Sequence, residues 1–319
     1  MKNFGIMDLV FSADTNYIMP AGVMMTSVCI NNQDAEITFH ALIDESVTEK
    51  QKQQLEETIA GNRRHHIAFY VVNASKFSSL PKLGEVKAYI TQATYYRLFL
   101  TEILPDDVEK VLYLDGDIAV TGSLSELWNT DLDDFAVGGV ADMSEAIQEY
   151  SRLGYPSECG YFNAGVLLIN LKYWRENHVI ETFNRIMVDT PEKIKFHDQD
   201  VLNISFYNSK KQLSLEYNLQ NGFLYKKEFW EFDGQKYEQS VIEAVKQPVI
   251  IHYSARIKPW FVDCENPLKG EWVKYYKKTQ WRRNKLKRKE PLTLRNRIGK
   301  IFRRLHLKPN FDLYISPKD

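Results

Sequence analysis

Between residues 8 and 72 the chain alternates apolar runs with helix signals, and this alternation constrains its fold more than any other feature. Asp8-Leu9-Val10-Phe11-Ser12-Ala13 reads as a strand, Asp14 to Tyr17 as a turn, and a helix begins near Ile18 with Pro20 in its first turn. Residues 36–43 alternate in polarity as a second strand. Thr48 and Gln51 form a capping box for a helix that runs to Gly61, and residues 67–72 make a third strand. Strand, helix, strand, helix, strand is the order of a mostly parallel α/β sheet with right-handed crossovers. His65 and His66, just ahead of the third strand, read as polar loop residues.

An open sheet of this kind collects ligands outside the carboxyl ends of its strands, so the next buried strand matters most for function. Val111-Leu112-Tyr113-Leu114 is a continuous apolar run, as a strand covered on both faces requires, and it leads straight into Asp115-Gly116-Asp117. Two carboxylates so close resist ionising together unless a cation lies between them, and Mg²⁺ or Mn²⁺ prefers carboxylate and phosphate oxygens. Gly116 would let the backbone turn sharply between them. The triplet carries little weight by itself, since Asp131-Leu132-Asp133 and Asp198-Gln199-Asp200 repeat the pattern; its place after a buried strand sets the first one apart.

Upstream, residues 91–104 read as a helix with Ala93, Tyr96, Leu100 and Leu104 on one buried face. Arg97 is the odd member, either snorkelling to the surface or reaching an anion in the site. Downstream, residues 123–128 read as a short helix and 135–141 as a strand ending near Asp142. Residues 143–160, with Gly154, Pro156 and Gly160, read as a flexible loop over the site. The small residues of Asn163-Ala164-Gly165 open an apolar strand that reaches Asn170, where a ligand can approach the backbone; an amphipathic helix over 171–187 follows. Asp198 and Asp200 fall in the first turn of a helix, which suits its dipole. A last strand, Pro248 to Ile251, ends in His252, and with Arg256 and Lys258 close behind it looks like an anion and metal pocket.

Composition sets outer limits. A chain of 319 residues, 44% of them hydrophobic, buries a large core in one large α/β domain or two small ones. Cys29, Cys159 and Cys264 have neither disulfide nor metal-finger spacing and fit a reducing compartment. No run approaches the length of a membrane span, and the first residues are too short an apolar stretch for a signal peptide. The net charge of -1 conceals an asymmetry: residues 274–308 hold 15 of the 41 Lys and Arg but only Glu290 of the 42 acids. This divides the chain into a body, 1–272, and a basic tail, 273–319. In the tail, Leu294, Ile298, Ile301, Phe302 and Leu305 form one helical stripe bordered by Arg and Lys, the pattern of a helix lying on an anionic membrane surface; the alternative is a stripe packed on the body with its charges solvated.

Taken in order, Ala13-Asp14-Thr15-Asn16-Tyr17, Tyr113 through Asp117, Phe162 through Leu171, Asp198-Gln199-Asp200 and His252 through Trp260 resemble the motifs of the family 8 retaining glycosyltransferases, which include bacterial lipopolysaccharide galactosyl- and glucosyltransferases. The resemblance covers residues 8–260 and implies a GT-A fold, a Rossmann-like α/β architecture with a mostly parallel central sheet flanked by helices. It implies transfer of a hexose from UDP-glucose or UDP-galactose to a glycan, glycolipid or glycoprotein acceptor. On this resemblance Asp115, Asp117 and His252 ligate Mn²⁺ or Mg²⁺ at the diphosphate and Lys258 holds the phosphates. Asp14 and Asn16 hold the uridine, with Ala13, Tyr17 and Gly116 beside them in the donor site. Arg97 and Asp198 grip the donor sugar, Asn163 and Ala164 line its pocket, and Gln199 lies beneath the anomeric carbon.

Retention through a covalent intermediate requires a carboxylate nucleophile, for which Asp142, Asp198 and Asp200 are the candidates. A same-face reaction, in which the leaving phosphate helps deprotonate the acceptor, requires none and is the preferred reading. One departure is Ala255, where the family usually has a glycine that lets the backbone approach the phosphates. The enzyme is expected in the cytoplasm, on the inner face of the cell membrane.

Two other classes compete. Leu114 to Thr121 also resembles the first motif of haloacid-dehalogenase-type phosphatases, in which Asp115 would be the nucleophile, but that motif belongs on a first strand and three strands precede it here. A non-catalytic nucleic-acid binder acting through the basic tail would need an aromatic and basic binding surface that the acidic body lacks, so nucleic acid is not an expected partner.

Overall fold

The computed structural model describes residues 5–73, 92–145, 148–225 and 234–291. Strands β1 (Met7–Ala13), β2 (Ile37–Ile43) and β3 (His65–Val71) lie parallel, connected by the helices Ile18–Asn31 and Glu49–Ile59. The Thr48 and Gln51 capping box opens the second of these helices. Strand β4 (Lys110–Leu114) then joins the free side of β1, also parallel. Strand β7 (Phe162–Asn170) runs antiparallel between β4 and β6 (Val137–Ala141), and β8 (Lys210–Gln212) completes the edge parallel to β6. The resulting order is β3-β2-β1-β4-β7-β6-β8, the expected mostly parallel α/β sheet.

The single reversed strand matters for the site. Because β7 runs against its neighbours, its first residues, Asn163 to Gly165, stand at the edge where β4 finishes. The chain leaves β4, crosses Asp115-Gly116-Asp117, and enters a second sheet of β5 (Ile118–Val120), β10 (Ile250–His252) and β9 (Leu219–Gln220), in which β10 lies between the other two.

Continuous apolar runs are explained by two cores, one on each face. Along β4, Leu112 and Leu114 enter one buried cluster and Val111 and Tyr113 the other. Along β7, Val166 and Leu168 separate from Leu167 and Ile169 in the same way, as a side-chain period of two demands. Packing also extends past residue 272, where the charge shift drew its boundary. Tyr275, Tyr276 and Trp281 are buried, and a Cβ on Gly22 would meet Trp281 at 2.2 Å, so the glycine makes the seat for that indole. The Asp263 carboxylate accepts the backbone N–H groups of Lys289 and Glu290. The tail stripe at 294–305 lies outside the described residues.

Several local expectations change. Residues 92–99 form a 3-10 helix continued by a short α-helix, Leu100–Ile103, rather than one amphipathic helix. Ala93, Tyr95, Tyr96, Leu98, Phe99 and Leu100 are all buried, so burial over 93–100 is nearly continuous rather than confined to a 3.6-residue stripe. The helix read over 171–187 is two helices, Leu171–Glu176 and Val179–Asp189, broken where His178 takes a left-handed conformation (φ 48°). His65 is a buried strand residue, not a loop residue. The segment read as a flexible loop, 143–160, contains the short helical turns Tyr150–Leu153 and Ser157–Cys159, and its Leu153 and Tyr155 are buried with Tyr161 in a small cluster.

Candidate active site

The Asp115-Gly116-Asp117 crossing is clamped from both sheets. The Asp115 N–H donates to the Gly165 carbonyl on β7 (2.9 Å), while the Asp117 carbonyl accepts the Tyr253 N–H just after β10 (3.0 Å). The antiparallel register of β10 sets His252 opposite Ile118, and its Nε2 lies 3.3 Å from Asp117 Oδ1 and 3.9 Å from Asp115 Oδ2. One ligand atom from each of Asp115, Asp117 and His252 falls within 4.8 Å of the others, a donor set of two carboxylate oxygens and one imidazole nitrogen. Asp117 Oδ1 is buried and accepts no hydrogen bond among the described residues, the condition of an oxygen prepared for a cation. The two carboxylate oxygens suit a hard divalent cation, and the imidazole nitrogen tilts the set toward a transition-metal ion.

Two glycines make room for this cluster. A Cβ on Gly165 would stand 2.3 Å from His252 Cε1 and 2.9 Å from Asp115 Oδ2, inside the triad itself. Gly116 does not take the positive φ that a sharp glycine turn uses; a Cβ there would press on Tyr17 Cδ1 at 3.1 Å. Space, not torsional freedom, is therefore the constraint at Gly116.

Charge is balanced by two cations. Arg97 is buried and does not snorkel: its Nη2 donates to Asp115 Oδ1 (2.9 Å), its Nη1 to the Ala164 carbonyl, and its guanidinium lies 4.2 Å from the centre of the Tyr113 ring. Its Nε–H is directed at the Thr94 carbonyl (3.1 Å), so the 2.9 Å approach of Nε to Asp198 Oδ2 is a contact between charges rather than a hydrogen bond. Burial pushes the Asp198 carboxyl up to about 6, against the pull of Arg97. The second cation, Lys258, donates to Asp117 Oδ2 (2.6 Å). Burial raises Asp117, but Lys258 and His252 outweigh it and hold this carboxyl well below the usual range.

A cavity of about 190 Å³ opens beside the triad, lined by Ser12, Ala13, Asp14, Tyr17, Ala93, Thr94, Arg97, Tyr113, Asp115, Gly116, Asp117 and Lys258. Asp14 both lines it and caps the following turn, its Oδ1 accepting the N–H groups of Asn16 (2.8 Å) and Tyr17 (3.1 Å). Asn16 is exposed and Ala255 half-buried; neither is in the lining. Ala255 has no positive φ, so this alanine sits in the loop without backbone strain.

The remaining sequence candidates fall into two groups. Gln199 accepts the Ala164 N–H (2.9 Å) and donates to Asp142 Oδ2 (3.2 Å), which Asn163 also reaches (2.8 Å), so Asp142, Asn163, Ala164 and Gln199 form one network behind the triad. Asp200 lies elsewhere. It is wholly buried, bonded by Arg152 (2.9 Å), Tyr161 (2.8 Å) and the N–H groups of Lys195 and Phe196, and pins the segment after Tyr150 to the helix Asp198–Phe206. Sequence reading missed Ser12, Ala93, Thr94 and Tyr113 in the cavity and Asn218 behind His252. Side-chain alternation along β4 carried a signal for Tyr113; a lone Asn in a loop carried none.

Comparison with known proteins gives the chain its family. Residues 8–264 match the family model described as glycosyl transferase family 8. The chain is 30% identical over 274 residues to a lipopolysaccharide 1,2-glucosyltransferase of Escherichia coli, covering 85% of this chain and 76% of that one. It is 27% identical over 319 residues to a lipopolysaccharide 1,3-galactosyltransferase of Salmonella typhimurium, covering 97% and 89%. Among solved structures, the galactosyltransferase LgtC in complex with donor and acceptor sugar analogs superimposes with a TM-score of 0.75 at 31% identity, over 86% of this chain and 99% of that one. With its GT-A fold and its family motifs in order, this chain belongs to glycosyltransferase family 8.

Proposed function

We propose that this glycosyltransferase transfers a hexose, glucose or galactose, from its UDP conjugate to a glycan, glycolipid or glycoprotein acceptor with retention of configuration. The observation that carries the reading is the convergence of Asp115, Asp117 and His252, the first two of which line a cavity together with Asp14, Tyr17, Arg97 and Lys258. A divalent cation, Mn²⁺ or Mg²⁺, held by those three side chains would supply electrostatic stabilisation to a departing diphosphate. Lys258 binds the phosphates by exchanging Asp117 for them. Asp14 and Tyr17 hold the nucleoside end, and Arg97 and Asp198 orient the sugar.

Hydrogen bonding favours the same-face route. Asp200 is saturated by donors, Asp142 is held by Ser144, Asn163 and Gln199, and Asp198 stands against Arg97. Asp200 and Asp142 are thus held by donors in supporting networks, Asp198 is ion-paired although its Oδ2 accepts no hydrogen bond among the described residues, and the same-face reaction needs no carboxylate nucleophile. The relatives named for lipopolysaccharide transfer, together with the exposed Lys277, Lys278, Arg282, Arg283, Lys285 and Lys287, support a lipid-borne acceptor met at the inner face of an anionic membrane. The test is a donor screen by slow hydrolysis, which needs no acceptor. UDP release from UDP-glucose or UDP-galactose, lost in EDTA and restored by Mn²⁺, is the expected result. Release of inorganic phosphate from phosphomonoesters instead would establish the phosphatase reading.

A further inference from the structure

Behind His252 runs a chain of amides whose orientation is fixed from its far end. The Gly165 N–H can only donate, and it donates to the Asn163 side-chain oxygen (2.9 Å). The Asn163 side-chain nitrogen faces Asp142 Oδ2 (2.8 Å), a carboxylate oxygen that accepts, so both ends of this amide agree. The Asn218 atom lying 2.9 Å from the Asn163 oxygen must then be its nitrogen. This turns the Asn218 oxygen toward His252 Nδ1 at 3.0 Å, and Nδ1 must carry the hydrogen. In the neutral ring the lone pair is left on Nε2, the atom facing Asp117 and Asp115. Asn218 is fully buried, its N–H tied to the Leu215 carbonyl (3.1 Å), and His252 lies against the backbone of Gly165, where a Cβ would come within 2.8 Å of Nδ1.

We propose that Asn218 is a positioning residue that fixes the tautomer and ring orientation of His252, presenting Nε2 as the lone-pair donor of the cation site. This rests on the metal reading above. A ligand histidine whose other nitrogen is held by an acceptor keeps its orientation, and loss of such a partner costs about 10–100-fold in metal affinity. Among the described residues the Asn218 side chain bonds to His252 and Asn163 and to neither carboxylate of the triad, so its effect passes through the imidazole.

The test uses the full chain, stripped of metal. Nitrogen NMR of the His252 ring at a pH where it is neutral should find the hydrogen on Nδ1; a hydrogen on Nε2 overturns the inference without any variant. Mn²⁺ titration of the wild type, Asn218→Leu and Asn218→Asp follows. Asn218→Leu should bind about 10–100-fold more weakly, whereas Asn218→Asp, which accepts the same Nδ1–H on one oxygen and carries a hydrogen on the other to donate to the Asn163 oxygen as the amide did, should bind within severalfold of wild type. Equal Mn²⁺ affinity in the wild type and Asn218→Leu overturns the role of Asn218 while leaving the metal site standing. A wild type that takes up no Mn²⁺ overturns both. If Asn218→Leu does not fold, a loss of Mn²⁺ affinity in Asn218→Asp matching removal of His252 overturns the proposal.

Discussion

The Lys258 ammonium stands 2.6 Å from Asp117 Oδ2, although 141 positions separate the two residues in the chain. One oxygen of that carboxylate is thus occupied by an ammonium and the other is an orphan facing His252 Nε2 at 3.3 Å. On the proposed metal site, this lysine would compete with a divalent cation for Asp117. Lys258→Met should therefore bind Mn²⁺ alone more tightly, on the order of tenfold once solvent screening reduces a full charge repulsion, yet bind UDP more weakly. Calorimetry with Mn²⁺ and then with UDP separates the two effects; weaker Mn²⁺ binding in Lys258→Met would refute the competition.

Alanine at Asp115, Asp117 or His252 should lower UDP-sugar hydrolysis on the order of a hundredfold or more, as loss of a principal electrostatic stabiliser does. Thermal unfolding of the metal-free variants provides the control, and turnover that survives both substitution and excess EDTA would remove the metal from the reaction.

Arg97 holds Asp115, faces Asp198 and donates to the Ala164 carbonyl from a buried position. Arg97→Met would leave two carboxylates without their cation, a loss of about 3–5 kcal/mol for a broken buried pair. Arg97→Lys should recover only part of this, because one ammonium cannot reproduce a planar fork. Urea denaturation of both variants measures the difference, and a fully stable Arg97→Lys would mean that charge alone matters.

Asp200 separates the two routes to retention. If it anchors Arg152, Tyr161 and the turn before the helix, Asp200→Asn lowers the unfolding temperature, and azide restores no activity. Formation of a glycosyl azide by that variant would instead reveal a missing nucleophile.

The basic tail should carry the chain to anionic lipid. Truncation near Thr279 would strip Trp281 from its seat against Gly22, so the informative truncation ends after Pro291 and leaves the packed segment in place. Co-sedimentation with phosphatidylglycerol liposomes over a salt series should fall on truncation, at about 1 kcal/mol for each basic side chain released from the surface. Equal sedimentation of both forms would assign the binding to the exposed basic residues before 291 or to none.

The sequence by itself determined the sheet's first half and the chemistry of its rim. Alternation over 8–72 specifies parallel strands because a crossover helix leaves no other short path, and the apolar run into Asp115 and Asp117 specifies a strand buried on both faces. It also placed His252 at a strand end, a local property of Pro248 to His252. Only the tertiary structure decided what lies opposite what. The reversal of β7 brings Gly165 against Asp115, and the pairing of β5 with β10 brings His252 to Asp117; both are long-range registers that no window of sequence encodes. The same holds for Asp198 and Asp200, which share one helical turn yet face Arg97 and Arg152 respectively. Their spacing in sequence is that of a metal pair, but i and i+2 on a helix point apart, and that geometry gives one to the site and the other to the scaffold.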